Sequence, residues 1–312
     1  VVQALDTIVP VFGLIVIGFL LSKAGVFGKM AAEGLSTVVF TLCMPALLFK
    51  TMIGITLPQV SPWGLWGSYF GAVAIAWIMG WAAVALLFRR DARTAAVAGV
   101  GAAYANTMLM GLPIIFAVMG NAGALPLFLI IAVHLPIMSL FATIQLEWAQ
   151  RSQPGVRLAL LGSIAKGVAS NPITIGLGAG LLWRFTGLAL PSAPAKVLDM
   201  LSEASVPCAL LAMGTALSHY SIRGSGGPAV AITLIKLVVH PLAVWLLARY
   251  VFHIPSDWMR VAVLFAAAPT GINTFIFAVR YQAAIGMISG AIALGTILSV
   301  LSFSLALWAT GP

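Results

Sequence analysis

The chain has 312 residues, of which 62% are hydrophobic and only 7% charged, with a mean hydropathy of +1.10. A soluble domain carries about a quarter of its residues as Asp, Glu, Lys or Arg, so lipid must replace water around most of this surface, and a soluble enzyme is excluded. The net charge of +9 does not mark a nucleic-acid partner, because the 16 Lys and Arg are scattered, mostly at the ends of apolar runs, instead of clustering on one face.

The apolar runs are long and unbroken, not short and alternating, which indicates helical spans. Ten are predicted, at residues 4–22, 31–53, 62–88, 95–119, 122–147, 168–187, 195–218, 228–252, 259–280 and 284–309. The expected fold is therefore all-α, an integral membrane bundle with little outside the bilayer. The first run lacks a basic stretch before it and a small-residue cleavage site, so it reads as a span and not a signal peptide. The second carries Met44-Pro45-Ala46-Leu47-Leu48 beside Cys43. Cys43 and Cys208 both fall inside apolar runs, so neither a disulfide framework nor a zinc site is indicated.

The fourth run is interrupted by Tyr104-Ala-Asn-Thr-Met-Leu-Met-Gly-Leu-Pro113, which places Asn106, Thr107, Gly111 and Pro113 in mid-span. His134, two residues before Pro136 in the fifth, reads as a packing histidine. The widest polar stretch, Gln145 to Arg157, then divides the chain into halves, 1–153 and 154–312, of five spans each.

The second half echoes the first. Val206-Pro207-Cys208-Ala209-Leu210-Leu211 in the seventh run follows the Pro45 motif at an offset of 162 residues, and Phe277-Ala278-Val279 follows Phe116-Ala117-Val118 at 161. Repeats with an odd number of spans lie in opposite orientations, as in many secondary transporters; chance likeness of apolar stretches is the alternative. Glu203, one turn before Pro207, reads either as a partner for a cation or as a plain interfacial carboxylate. Lys236 and His240 lie one turn apart on the eighth run and share a face. They either neutralise a carboxylate or relay a proton, or else the lysine snorkels or pairs with a carbonyl.

The ninth run is interrupted in turn by Pro269-Thr-Gly-Ile-Asn-Thr274, which presents Thr270, Gly271 and Asn273. Proline removes a helical hydrogen bond and glycine weakens the helix. In lipid such breaks are tolerated where protein or a lined cavity meets the freed groups. They also expose the positive N-terminal end of a half-helix, which suits an anion. A plain kink explains one such segment. Two of them, in the fourth run of each half and each with an asparagine, favour a binding site in which Asn106 and Asn273 hydrogen-bond the substrate and Thr107, Thr270 and Thr274 assist.

Loops after odd-numbered runs hold ten Lys and Arg, and loops after even-numbered runs hold five. The positive-inside rule then puts the odd loops in the cytoplasm and both termini outside. No run places two carboxylates together, which weighs against sodium coupling without excluding a site made of carbonyls and amides. HExxH, Gly-x-Ser-x-Gly, GxxxxGK and paired-Asp motifs are absent, so no enzymatic activity, cofactor or metal is expected.

Several pieces together carry a family resemblance: Pro10-Val-Phe-Gly-Leu-Ile-Val-Ile-Gly-Phe-Leu-Leu with Ala24-Gly25-Val26, Met44-Pro-Ala-Leu-Leu-Phe49, Asn106 with Gly111-Leu-Pro113, Asn171-Pro172, Pro207 before Ala209-Leu-Leu-Ala-Met-Gly214, and Pro269 with Asn273. In this order and spacing the chain resembles the auxin efflux carrier family of bacterial and plant transporters over its full length. The resemblance implies ten helices in two inverted repeats of five, with the fourth and ninth broken and crossing at prolines, here Pro113 and Pro269. It implies a scaffold of the first, second, sixth and seventh helices that forms a homodimer, and a transport domain of the other six that slides as an elevator. Asn106 matches the family's substrate-contacting amide, and Asn273 lies on the matching side of the second break. Plant members often carry a long loop between the fifth and sixth helices, whereas the stretch here is short. That turns the expected substrate from auxin to a small organic anion such as malonate or malate, carboxylates linked to bacterial relatives, moved across the cell's inner membrane. A gated channel, which needs a continuous polar pore, and a sensor that binds without flux are the alternatives.

Overall fold

The computed structural model describes residues 2–55, 60–150, 162, 166–220 and 226–311, the side chains of 2–8 excepted. The expected midpoint at 153/154 and the loop cations Arg151, Arg157 and Arg223 lie outside the described residues, as does the side chain of Asp6. The described regular structure is helical, with one isolated β-bridge. Its helices are α1 (Val2–Lys23), α2 (Lys29–Gly54), α3 (Trp63–Leu87), α4 (Ala92–Ala103), α5 (107–119) and α6 (Ala124–Ala149). After the polar middle come α7 (Pro172–Thr186), α8 (Ser192–Leu217), α9 (Gly226–Val251), α10 (Ser256–Ala267), α11 (Ile272–Arg280) and α12 (Ile285–Thr310).

Six apolar stretches among the described residues are long enough to cross a membrane: α2, α3, the joined α5 and α6, α8, α9 and α12. The α5–α6 stretch is interrupted by a tight turn at Gly120–Gly123, where Gly120 takes φ +55°, a conformation that costs little only without a Cβ. By contrast α4 and α10 have 12 residues each and reach about 18 Å, little more than half the hydrocarbon thickness. They end inside the protein. Residues 95–107 and 261–271 are buried without interruption, which is why these segments are apolar on every side.

Around these short helices, α3 packs on α4 and α9, α9 on α10 and α12, and α4 on α6. A second group forms where α1 lies against α8 and α2 against α7. Its backbones approach closely through glycine: a Cβ on Gly18 would strike the Leu211 carbonyl, one on Gly214 that of Ile15, and one on Gly176 the Pro45 backbone. Small residues at a helix contact allow this dispersion-rich packing where no hydrophobic effect drives association. The Ser205 hydroxyl adds a bond from α8 to the Cys43 carbonyl of α2 at 2.7 Å.

Candidate functional site

Four half-helices meet at the buried centre, α4 leading into α5 and α10 into α11. Between α4 and α5 the chain is non-helical at Tyr104–Asn106, and between α10 and α11 at residues 268–271. The two breaks cross as a minimal antiparallel pair. Ala105 bridges Thr270, the Asn106 N–H donates to the Pro269 carbonyl at 2.7 Å, and the Gly271 N–H donates to the Tyr104 carbonyl at 2.8 Å. Exchanging Tyr104, Ala105 and Asn106 with Pro269, Thr270 and Gly271 turns one of these bonds into the other, so the crossing has local two-fold symmetry. It answers the demand that freed backbone groups in lipid find partners.

The crossing falls at Ala105 and not at Pro113, the proline expected to mark it. Pro113 lies in the first α-turn of α5, after a π-turn at Thr107–Gly111. Because the Leu112 N–H bonds back to the Thr107 carbonyl, the chain absorbs the proline without breaking there. The insertion leaves α5 four residues longer than α11, 13 against nine, about one helical turn. Gly271 is required at the second break: a Cβ there would lie 2.7 Å from the Ala105 carbonyl oxygen and 3.2 Å from Asn106 N. At Gly111 a Cβ would meet the Phe265 ring at 3.3 Å and lie in ordinary contact with the Asn106 carbonyl oxygen at 3.5 Å.

The asparagines differ in their work. Asn106 is the N-cap of α5: its Oδ1 accepts from the Leu109 N–H at 3.3 Å, while its Nδ2 reaches the Met213 sulfur on α8 at 3.5 Å. A thioether is a weak acceptor, so that amide N–H is only weakly engaged. Asn273, half-buried in the first turn of α11, donates from Nδ2 to the Tyr104 hydroxyl at 3.0 Å. Thr107 and Thr270 are 4% and 1% exposed, and the Thr274 hydroxyl is buried without a hydrogen-bond partner.

Two carbonyls at the C-terminal ends of the half-helices are met by side chains. The Thr270 hydroxyl donates to the Gly101 carbonyl of α4 at 2.8 Å, and Lys236 Nζ donates to the Ala266 carbonyl of α10. Lys236 and His240, both wholly buried, do share a face of α9, with Nζ 3.0 Å from His240 Nδ1. Glu203 is not drawn in. It is exposed on α8, and the ion pairs among the described residues, Lys29–Glu33 and Lys50–Asp199, are exposed or partly exposed surface pairs elsewhere.

Three aromatic groups join this constellation that residue-by-residue reading does not assign to it. His134 Nδ1 lies 3.2 Å from the Tyr69 hydroxyl, its ring centroid 5.1 Å from that of Tyr104. The Tyr69 ring in turn lies 5.7 Å from His240. The Nε2 atoms of His134 and His240 are buried without a hydrogen-bond partner. The packing role expected of His134 therefore describes only part of it. Tyr104 had a readable signal, a phenol two residues before Asn106 inside the interrupted run. Tyr69 had none, because its role depends on where α3 crosses α6 and α9.

The family model for "Membrane transport protein" matches residues 3–308, nearly the whole chain. The protein belongs to this membrane transport family. A Rhizobium meliloti (strain 1021) protein named "Putative malonate transporter" is 27% identical over 293 residues, covering 94% of this chain and 91% of the relative. An "Uncharacterized transporter" of Methanothermobacter thermautotrophicus is 25% identical over 96% of each chain. "Auxin efflux carrier component 8" of Arabidopsis thaliana is 29% identical over 136 residues, 42% of this chain and 37% of the relative. The chain is thus a multi-pass membrane protein of a transporter family with auxin efflux carriers among its relatives, in keeping with the motifs along its length.

Proposed function

We propose that the protein is a secondary transporter for a small organic anion, a carboxylate and by preference a dicarboxylate such as malonate, bound at the crossing of the two breaks. The paired breaks carry this reading. They bring the N-terminal ends of α5 and α11 to one buried point, where unpaired N–H groups and the helix dipole favour negative charge. The carbonyl ends of α4 and α10, which would repel an anion, are covered by Thr270 and Lys236. Asn106, Thr107, Gly111 and Pro113 would form one wall and Pro269, Thr270, Gly271 and Asn273 the other, with Lys236, its Nζ bonded to His240 Nδ1, supplying positive character. Malonate is what the name of the Rhizobium meliloti relative specifies for that protein, and its two carboxylates match a site with two helix N-termini.

In this reading the chain comprises ten spans in two inverted repeats, with α4–α5 and α10–α11 each counting as one. The group α1, α2, α7 and α8 is the scaffold and dimer-forming part, and the remaining helices move against it as an elevator. The crossing stays intact while it is carried past the scaffold, so access alternates without the breaks opening. The Lys and Arg balance supports a topology with both termini on the non-cytoplasmic side.

The test is counterflow in proteoliposomes. Vesicles preloaded with unlabelled malonate should accumulate labelled malonate, saturably, and malate or succinate should compete. Linear, unsaturable flux would replace the carrier with a channel, and binding without flux would make the protein a sensor.

A further inference from the structure

The two half-helix ends that meet the crossing are finished in different ways, and the difference assigns a role to Lys236. The two-fold exchange at the crossing pairs Gly101 with Ala266, three residues before each of the paired positions Tyr104 and Pro269. Their carbonyls are equivalent, both left open because the helix stops. Gly101 is met by Thr270, whose hydroxyl crosses from the other break. The symmetry mate of Thr270 is Ala105, which has no hydroxyl to return. The Ala266 carbonyl is met instead by Nζ of Lys236, brought in from α9.

In secondary transporters with broken helices, carbonyls at the C-terminal ends of half-helices and in the unwound backbone are where a coupling cation is held. Here Lys236 Nζ bonds to such a carbonyl, wholly buried, with His240 Nδ1 as its second partner. The ion pairs seen among the described residues are on the surface and do not involve it. What compensates its charge is the negative end of α10 and, in turn, an anion at the crossing, to which the site connects through Tyr69, His134 and Tyr104.

We propose that Lys236 is the transporter's tethered counter-cation: it occupies the carbonyl end of α10 permanently, so that anion transport needs no sodium or other alkali cation. This rests on the anion-carrier reading above and goes beyond it by specifying the coupling. Lys236 acts as a positioning residue, holding the second break and its charge in place without touching substrate.

Two measurements on purified full-length protein test it. In malonate counterflow, which requires no membrane potential, wild-type exchange should stay within about twofold when sodium or potassium is replaced by N-methylglucamine on both sides; a demand for an alkali cation overturns the proposal. Lys236→Met, nearly the same length without charge, should lower exchange at least roughly tenfold, while Lys236→Arg keeps most of it because the charge is retained. Wild-type exchange by Lys236→Met in N-methylglucamine also overturns it. The second measurement is thermal unfolding in detergent, which is independent of any substrate and of whether the Met variant folds. Wild-type protein should melt at the same temperature in sodium and N-methylglucamine chloride; a sodium-specific rise means that a sodium site exists despite the lysine. If no organic anion is exchanged at all, the transport reading fails while the melting experiment still decides whether lysine stands in for the cation.

Discussion

At the first break the open carbonyl of α4 receives a neutral hydroxyl, and at the second the equivalent carbonyl of α10 receives an amine. The backbone exchange between the breaks is symmetric to within 0.1 Å in its two bonds, 2.7 and 2.8 Å, yet the side chains that finish it are not. Satisfying backbone groups in lipid dictates the first feature and leaves the second free. The asymmetry continues outward. The first break ends in a side-chain N-cap, Asn106, and runs into a π-turn, whereas α11 follows Gly271 with no side-chain cap and is one turn shorter. Symmetry serves the architecture of the crossing, and the departures from it lie in the capping and in the side chains that finish the two carbonyls.

The comparison breaks most sharply at the glycines. Gly271→Ala puts a Cβ against two rigid backbone groups of the other break, so counterflow should fall to background, at least roughly a hundredfold, with a lower melting temperature. Gly111→Ala presses tightly only on an aromatic ring that can shift, its backbone neighbour being at ordinary contact distance, and should change exchange by no more than about threefold. Similar losses in both would mean that the tight backbone approach at the crossing is not what makes the second break sensitive.

Next come the asparagines. Asn106→Ala removes both the amide proposed to meet the substrate and the cap of α5, the cap alone being worth about 1 kcal/mol. Asn273→Ala removes one bond to Tyr104. Exchange should drop roughly thirtyfold or more in the first and about tenfold in the second, the range expected when a buried partner is left unpaired, with both proteins still eluting as folded species from a sizing column. Full activity in both would sink the crossing-site model.

A smaller effect is expected at Thr270. Thr270→Val leaves the Gly101 carbonyl without its donor, which costs about 1–3 kcal/mol and should appear as a lowered melting temperature that Thr270→Ser restores. The smallest concerns how the far end of α11 is held. Just beyond it, Tyr281 donates to Glu147 Oε1 at the end of α6 at 2.8 Å, and burial, then the bond to that carboxylate and its charge, push the phenol up from 10.0 to about 12. The folded state therefore holds this proton more tightly than the unfolded chain. The stabilisation is complete below about pH 10, where the unfolded phenol titrates, and is lost as pH rises toward 12. Tyr281→Phe should flatten the fall in melting temperature across that window, and an unchanged slope would show that Tyr281 contributes nothing to it.

Composition and hydropathy were enough to establish an all-helical membrane protein, because a bilayer accepts little else that is so poor in charge. The two interrupted runs were also legible, since mid-span Asn, Gly and Pro are costly unless the backbone there is used. Even the shared face of Lys236 and His240 followed from helical spacing. What the linear chain did not reveal was where the first break falls. Pro113 is the loudest local signal, but a π-turn accommodates it and the chain opens at Tyr104–Asn106, where the crossing strand of the second break supplies the partners. Nor could spacing show that Lys236 meets Ala266, that His134 joins Tyr69 and Tyr104, or that Glu203 stays at the surface. Those outcomes depend on how α3, α6, α9 and α10 lie against one another, and a partial rotation or a one-turn slide of any of them would exchange the partners without altering a single local preference.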